Sequence, residues 1–348
     1  MLEIIKTQTG TLATHDLLWQ AAGKAANESA SKDIFTDYKS RKATNTIRRQ
    51  SGDLYIFTEF LTEAGLPCGD FANDPSAWRG VTWGIVERFT RWMLLKGYAM
   101  GTVNIRLSTV KTYAKKAAQS GYLAREEYGM IATLSGYQHK EFKRVDEARQ
   151  AEGCKTRIGS KKENAVSITP EQGRQLKDQP DTPQGRRDRL LLCLLLDHGL
   201  RVGEVVRLQV DHFDLKTGEL RFYRPKVDKQ QTHKMTLDTL AAAKTYLAED
   251  APALGNIWRG SRKGNHGLTG QGITARAATE RVKVLGSAIG VEGLSAHDLR
   301  HFWATDAVRN GTLIDRLQDA GGWSSLAMPM RYIESARIAN TGVRLSPS

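Results

Sequence analysis

Two helical domains with one small β-hairpin are what this sequence predicts, and three observations carry that expectation. Apolar residues recur at helical spacing three times in the first half of the chain. A charged stretch with no apolar stripe then separates that half from the second. The second half opens on a helix-capping signal, passes through one pair of alternating, strand-like segments, and returns to helical periodicity. With 348 residues, 40% of them hydrophobic, the chain can bury two cores.

Residues 1–30 are polar and weakly patterned, and read as an arm or a short extra helix. Ile47, Leu54, Phe57 and Leu61 then mark a helix ended by Gly65 and Pro67. Ile85, Val86, Phe89 and Met93 mark a second, ended by Gly97; Val103, Leu107, Val110 and Ala114 mark a third, ended by Gly121. A fourth is expected between Arg125 and Arg149, so that residues 31–138 form a helical domain. Residues 139–164 read as a basic linker, either solvated or laid along a polyanion. The second domain, 165–348, begins with Thr169 as N-cap, Pro170 at the first helical position and Gln172 completing a capping box. One buried helix is expected from there through residues 190–196, closed by Gly199. Leu220-Arg-Phe-Tyr-Arg224 and His233-Lys-Met-Thr-Leu237 read as the hairpin. Helices are expected over 238–249, 273–289, 296–308 and 312–319, with a last one around Tyr332.

The chain carries 51 basic and 38 acidic residues, a net charge of +13, and a pI of about 9.6. A surplus of that size attracts a polyanion, and nucleic acid is the commonest. Cys68, Cys154 and Cys193 are too few and too far apart for a disulfide framework or a Cys-x-x-Cys metal pair, which favours a reducing compartment. The N-terminus lacks the layout of a secretory signal, and the densest apolar run, 190–196, is too short to span a bilayer. A cytoplasmic, nucleoid-associated location is expected. No Gly-rich loop ends in Gly-Lys-Ser/Thr, and no His-Glu-x-x-His or acid cluster offers metal ligands. Nucleotide hydrolysis and metal-dependent cleavage are thus unsupported.

What remains is a set of cationic and hydrogen-bonding residues in the second half. Arg201 lies in Gly199-Leu-Arg-Val-Gly-Glu204, with Glu204 as a structural partner of Arg201 or His297 rather than an acid catalyst, and Lys226 follows the first hairpin strand. His297 and Arg300, three apart on one helix face, lie in Ser295-Ala-His-Asp-Leu-Arg-His-Phe-Trp-Ala-Thr305, with His301 beside them as support. Trp323 ends Ala320-Gly-Gly-Trp323, and Tyr332 follows. Phosphoryl transfer needs such groups. A phosphodiester under attack gains charge on its non-bridging oxygens, and two guanidinium forks can clamp them. A leaving oxygen needs a proton, which a hairpin lysine can deliver, and a phenol of pKa near 10 needs a base such as His297.

The ordered set Arg201, Lys226, His297-x-x-Arg300, Trp323, Tyr332 closely resembles the tyrosine recombinase (phage integrase) family, over roughly residues 169–339. Residues 31–123 resemble, less specifically, the family's core-binding domain. The resemblance implies a helical core-binding domain and a mixed α/β catalytic domain that form a C-shaped clamp on double-stranded DNA. It implies a site-specific recombinase or integrase, bacterial or from a mobile element, with Tyr332 as nucleophile. Tyr332 would form a 3′-phosphotyrosyl link that another strand's 5′-hydroxyl resolves, with neither metal nor ATP. It further implies a homotetramer on two DNA sites, exchange through a Holliday junction, and room for accessory DNA-bending proteins. Arg48, Arg49, Lys111, Lys115 and Lys116 are candidate DNA contacts in the first domain.

Three departures from the family pattern stand out. Trp323 occupies a position that more often holds His, and an indole donates one hydrogen bond but moves no proton, which shifts that work to His297 and Lys226. Arg-Pro-Lys-Val-Asp-Lys lacks the common Gly-Lys-Gly turn, so Lys229 rivals Lys226 as general acid. Pro329 is expected to start a new helix, leaving Tyr332 in its first turn. The rival functions are a type IB topoisomerase-like enzyme, with the same chemistry and no partner site, and a catalytically silent DNA-binding protein of this fold.

Overall fold

The computed structural model describes residues 12–159, 162, 165–262 and 267–336. The chain divides into two compact units, 1–161 and 162–348.

The first unit contains α1 (Leu12–Ser40), α2 (Thr44–Glu63), α3 (Trp83–Leu95), α4 (Met100–Gln119), α5 (Arg125–Thr133) and α6 (His139–Ala151). The stripes read from the sequence bury as expected: Leu54, Phe57 and Leu61 of α2 meet Val86, Phe89 and Met93 of α3 and Val103, Leu107, Val110 and Ala114 of α4. Fully buried Trp78, on the short turn between α2 and α3, donates its indole N–H to the Phe71 carbonyl at 3.1 Å. Three local expectations need correction. No break falls at residue 30, because an Ala-rich stretch, favourable to helix, runs unbroken in α1 until its last turns pack Phe35 into the core. The single helix expected between Arg125 and Arg149 is two, interrupted over residues 134–138. Residues 139–151, expected as linker, are helical although they lack an apolar stripe. A polar anchor replaces the stripe: buried Arg149 donates from Nη2 to the carbonyls of Leu94 (2.8 Å), Tyr98 (3.2 Å) and Lys155 (2.8 Å). Carbonyls at the C-terminus of α3 have no partner within their own helix, so a guanidinium docks α6 there.

The second unit contains α7 (Pro170–Lys177), α8 (Pro183–Leu196), α9 (Val202–Val205), β1 (Phe213–Asp214), β2 (Glu219–Arg224), β3 (Lys229–Lys234), α10 (Leu237–Glu249), α11 (Ala275–Ala288), α12 (Ala296–Arg309), α13 (Ile314–Gly321) and α14 (Ala327–Ala336). The Thr169–Gln172 capping box starts α7, as read from the sequence. The long helix expected from there is broken into α7 and α8 around Pro180 and Pro183, since Pro180 cannot sit inside a helix whereas Pro183 opens one. Leu190 through Leu195 of α8 are all fully buried and form the spine of this core, with Phe222, Tyr246, Trp258, Val282 and Leu299 around them. The sheet is antiparallel in the order β1-β2-β3, with Phe213 opposite Leu220, Phe222 opposite Gln231 and Arg224 opposite Lys229. The second hairpin strand runs over 229–234 rather than 233–237. It lies at the edge of the sheet, where polar Lys229 and Gln230 are tolerated, and residues 237 onward turn into α10.

Candidate active site

Most of the second-unit residues singled out in the sequence lie on or at α9, α12 and α14, with Trp323 just after α13 and the two lysines on the hairpin. Arg201 is the N-cap of the one-turn helix α9. Its main-chain N–H donates to Glu204 Oε2 at 2.9 Å and its Nη1 to Glu204 Oε1 at 2.8 Å, so one buried carboxylate fixes both ends of the residue. The preceding Gly199 has φ +57°, and a Cβ there would lie 2.1 Å from the Trp303 ring; only glycine lets the chain pass α12 this closely.

Helix α12 presents His297, Arg300 and His301 at spacings of three and four. Its first turn is held by buried Asp298, which accepts from Ser295 N (2.8 Å), Lys162 Nζ (2.6 Å) and Val166 N (3.1 Å). Arg300 is buried and donates from Nη1 to the Gly199 carbonyl and from Nη2 to the Gly321 carbonyl (2.5 Å). Its guanidinium carbon lies 4.6 Å from the centre of the Trp323 ring. Burial, then the charges of Arg201 and Arg224, push its pKa down to about 9, so it still carries its charge at neutral pH. His297, on the exposed side of the helix, places Nε2 3.2 Å from His301 Nε2. Both imidazole pKa values are lowered by desolvation; His301 and then Arg300 add to the effect on His297. A neutral imidazole pair at pH 7 is therefore available to accept a proton.

Tyr332 lies in α14 and is 4% exposed. Its ring packs at 5.2 Å from His301 and 5.6 Å from Trp323, centre to centre. Burial raises the phenol pKa, and the charges of Arg300, Arg201 and Arg331 partly offset that. The site thus holds a neutral phenol beside two fixed guanidiniums. Helix α14 starts two residues before Pro329, so Tyr332 sits in its second turn, not its first. Proline is accepted there because main-chain N–H groups of a first turn have no partner within the helix.

The structure thus brings together Arg201, Glu204, His297, Arg300, His301, Trp323 and Tyr332. It sets the two lysines apart. Lys226 is exposed in the turn 225–228 at the hairpin tip, with no hydrogen bond or ion pair among the described residues. Lys229, at the start of β3, is bound to Asp319 Oδ1 at 2.8 Å.

Residues 167–337 match the phage integrase family model. The tyrosine recombinase XerD of Neisseria meningitidis serogroup B (strain ATCC BAA-335 / MC58) is 28% identical over 289 residues, which cover 75% of this chain and 96% of that protein. The tyrosine recombinase XerC of Mycobacterium sp. (strain JLS) is 26% identical over 305 residues, 86% of this chain and 92% of that protein. The chain belongs to the tyrosine recombinase family. The fold of this recombinase is shared with the Tn1549 transposon integrase solved with transposon right end DNA (TM-score 0.60, 15% identity, 87% of this chain and 94% of that one). It is shared too with a lambda integrase dimer bound to a COC′ core site (TM-score 0.58, 14% identity, 92% and 98%).

One residue that the sequence reading of the recombinase missed belongs to this site. Arg224, at the end of β2, is fully buried. It donates from Nη1 to Glu204 Oε2 (2.9 Å), from Nη2 to the Ala320 carbonyl (2.7 Å) and from Nε to Gln231 Oε1. The signal was in the strand's alternation, which puts Leu220, Phe222 and Arg224 on the buried face. Among the described residues of the recombinase, no cluster of His, Cys, Asp and Glu could hold a metal ion, and no helix is long and apolar enough to cross a membrane.

In the first unit the candidate DNA contacts differ in how free they are. Arg49 is bound to Asp53 (2.5 Å) and Thr109 (3.1 Å), and Lys111 donates to the carbonyls of Ala132 (2.9 Å) and Leu134 (2.5 Å) at the end of α5. Lys116 contacts Gln119 at 3.2 Å, and Arg48 makes a long bond to Asn45 at 3.5 Å. Lys115 lines a groove with Lys111, Asn104 and Tyr137.

Proposed function

We propose that this recombinase cuts and rejoins double-stranded DNA at specific sites by transesterification, with Tyr332 as nucleophile. The observation that carries the reading is the enclosure of the Tyr332 ring by His301 and Trp323, under the charges of Arg300 and Arg201. Tyr332 Oη attacks the scissile phosphorus, and the phenol proton passes to the neutral imidazole of His297. The bond from phosphorus to the 5′ oxygen breaks, and that oxygen takes a proton from Lys226. A 3′-phosphotyrosyl link remains, which the 5′-hydroxyl of another strand attacks in the reverse sense. The phosphorus–oxygen ester is exchanged rather than hydrolysed, so the reaction needs no external energy source. Arg201 and Arg300 clamp the non-bridging oxygens as their charge grows. Trp323 supports this by covering Arg300 and offering one indole N–H. Lys226 is favoured over Lys229 as general acid because Asp319 already holds Lys229. Two protomers on each site, and four on a pair of sites joined through a Holliday junction, complete the reading.

The test presents the protein with a library of nicked duplexes of randomised core sequence, in which the cleaved strand's short 5′-hydroxyl fragment diffuses away. The expected result is an SDS-resistant protein–DNA adduct with the wild type and none with Tyr332→Phe. No enrichment of any adduct by the wild type, under conditions where it binds the library, contradicts the reading.

A further inference from the structure

We infer that Arg224 is a positioning residue for the reaction, holding the arginine clamp in place and its net charge positive by neutralising Glu204. This rests on the reading of Tyr332 as nucleophile and deepens it. Glu204 accepts from Arg201 Nη1 at 2.8 Å on one oxygen and from Arg224 Nη1 at 2.9 Å on the other. Without Arg224, the carboxylate would face Arg201 alone and cancel its charge. With Arg224 present, Arg201, Arg224 and Arg300 against one Glu204 leave a balance of +2. That surplus matches the two negative charges of a phosphodiester at the point where attacking and leaving oxygens are both bonded to phosphorus.

The same guanidinium reaches the second arginine through the main chain. Arg224 Nη2 binds the Ala320 carbonyl at 2.7 Å, and the next carbonyl, that of Gly321, is the one that Arg300 Nη2 uses. Arg224 thus fixes the turn on which Arg300 leans and from which Trp323 projects. The fit is close. Gly322 has φ +59°, and a Cβ on it would lie 2.5 Å from Arg224 Cδ; a Cβ on Gly321 would lie 2.0 Å from the Trp323 ring. Both glycines of Ala320-Gly-Gly-Trp323 are explained by what passes beside them. The Arg224 side chain also rests over Phe222, 4.8 Å from the ring centre, so it is preformed on the strand before any DNA arrives. Desolvation lowers its pKa, and Glu204 opposes the shift.

The experiment compares wild type, Arg224→Met, Arg224→Lys and the double variant Glu204→Gln/Arg224→Met on a site selected with the wild type. It measures single-turnover adduct formation at saturating protein, DNA affinity by gel shift, and thermal melting. Arg224→Met is expected to slow adduct formation about 10- to 100-fold, with DNA affinity changed less than about threefold. Arg224→Lys, which keeps charge and loses the fork, falls between, and the double variant recovers part of the loss because the carboxylate's charge has gone too. A 5′-bridging phosphorothiolate, whose sulfur leaves without a proton, separates the clamp from Lys226 on the adjoining turn: the loss is expected to persist on it. Three results overturn the inference: a wild-type rate in Arg224→Met, a full return of rate on the phosphorothiolate, or a double variant no faster than Arg224→Met while melting as the wild type does. Loss of the wild-type adduct in Tyr332→Phe reports on Tyr332, so failure of that reading is seen separately from failure of the ratios.

Discussion

Removing the Glu204 carboxylate should unbalance the site more than removing any single arginine. In Glu204→Ala, Arg201 loses the acceptor for both its N–H (2.9 Å) and its Nη1 (2.8 Å), and Arg224 loses its ion pair at 2.9 Å. The carboxylate side chain is 3% exposed and that of Arg224 0%, so water does not replace what is lost. Breaking a buried pair from one side costs about 3–5 kcal/mol, because a charge stays behind without its partner. For a unit of this size each kcal/mol moves the melting temperature by about 2–4 °C, which places the expected drop at about 6–20 °C. Glu204→Gln, which keeps the volume and one acceptor, should fall well short of that. The assay is thermal unfolding of the 348-residue chain by circular dichroism, wild type and both variants side by side. A Glu204→Ala melting point within about 2 °C of the wild type would refute the reasoning, since one kcal/mol or less is what an exposed pair is worth.

Other outcomes follow from the same geometry. The acid limb of adduct formation is expected below pH 6.5, because desolvation, His301 and Arg300 all lower the His297 pKa; Asp298 only partly opposes them. His301→Gln removes one of those influences and should move the limb upward, which a pH profile of single-turnover rates checks. Buried His198 and His233, with pKa values pushed down to about 4 and about 3, are neutral when folded and protonate more readily when unfolded. Their contribution to stability is therefore complete above about pH 6.5 and is lost as pH falls from there toward about 4 for His198 and about 3 for His233, so that His233→Phe should flatten the loss in denaturant titrations. Gly199→Ala forces a Cβ to within 2.1 Å of the Trp303 ring at φ +57°, and should lower stability by about 1–3 kcal/mol in the same titrations.

Much of this was legible in the sequence where one period dominated. The stripes of α2, α3 and α4 and the Thr169–Gln172 capping box follow from local rules that tertiary contacts did not override. What escaped was held by contacts distant in sequence. Helix α6 has no apolar stripe because its anchor is one arginine that reaches the carbonyls of Leu94 and Tyr98, 55 and 51 residues before it. The first residues of β3 fell outside the strand expected at 233–237, because edge position, not composition, makes Lys229 and Gln230 extended. At the site, Arg201, Arg300, His297 and Tyr332 stood out by motif. Arg224 did not, because an arginine ending a strand gains meaning only when Glu204, twenty residues before it, closes on it. Lys226 was equally visible as a motif position, and its distance from any partner follows from the exposed turn that carries it.

The most direct measurement is the chemical identity of the protein–DNA bond. Adducts trapped on a nicked duplex, digested with protease and nuclease and analysed by mass spectrometry, are predicted to carry a 3′-phosphonucleotide on the peptide containing Tyr332. An adduct at another residue, linkage through a 5′-phosphate, or adducts undiminished in Tyr332→Phe would contradict the account.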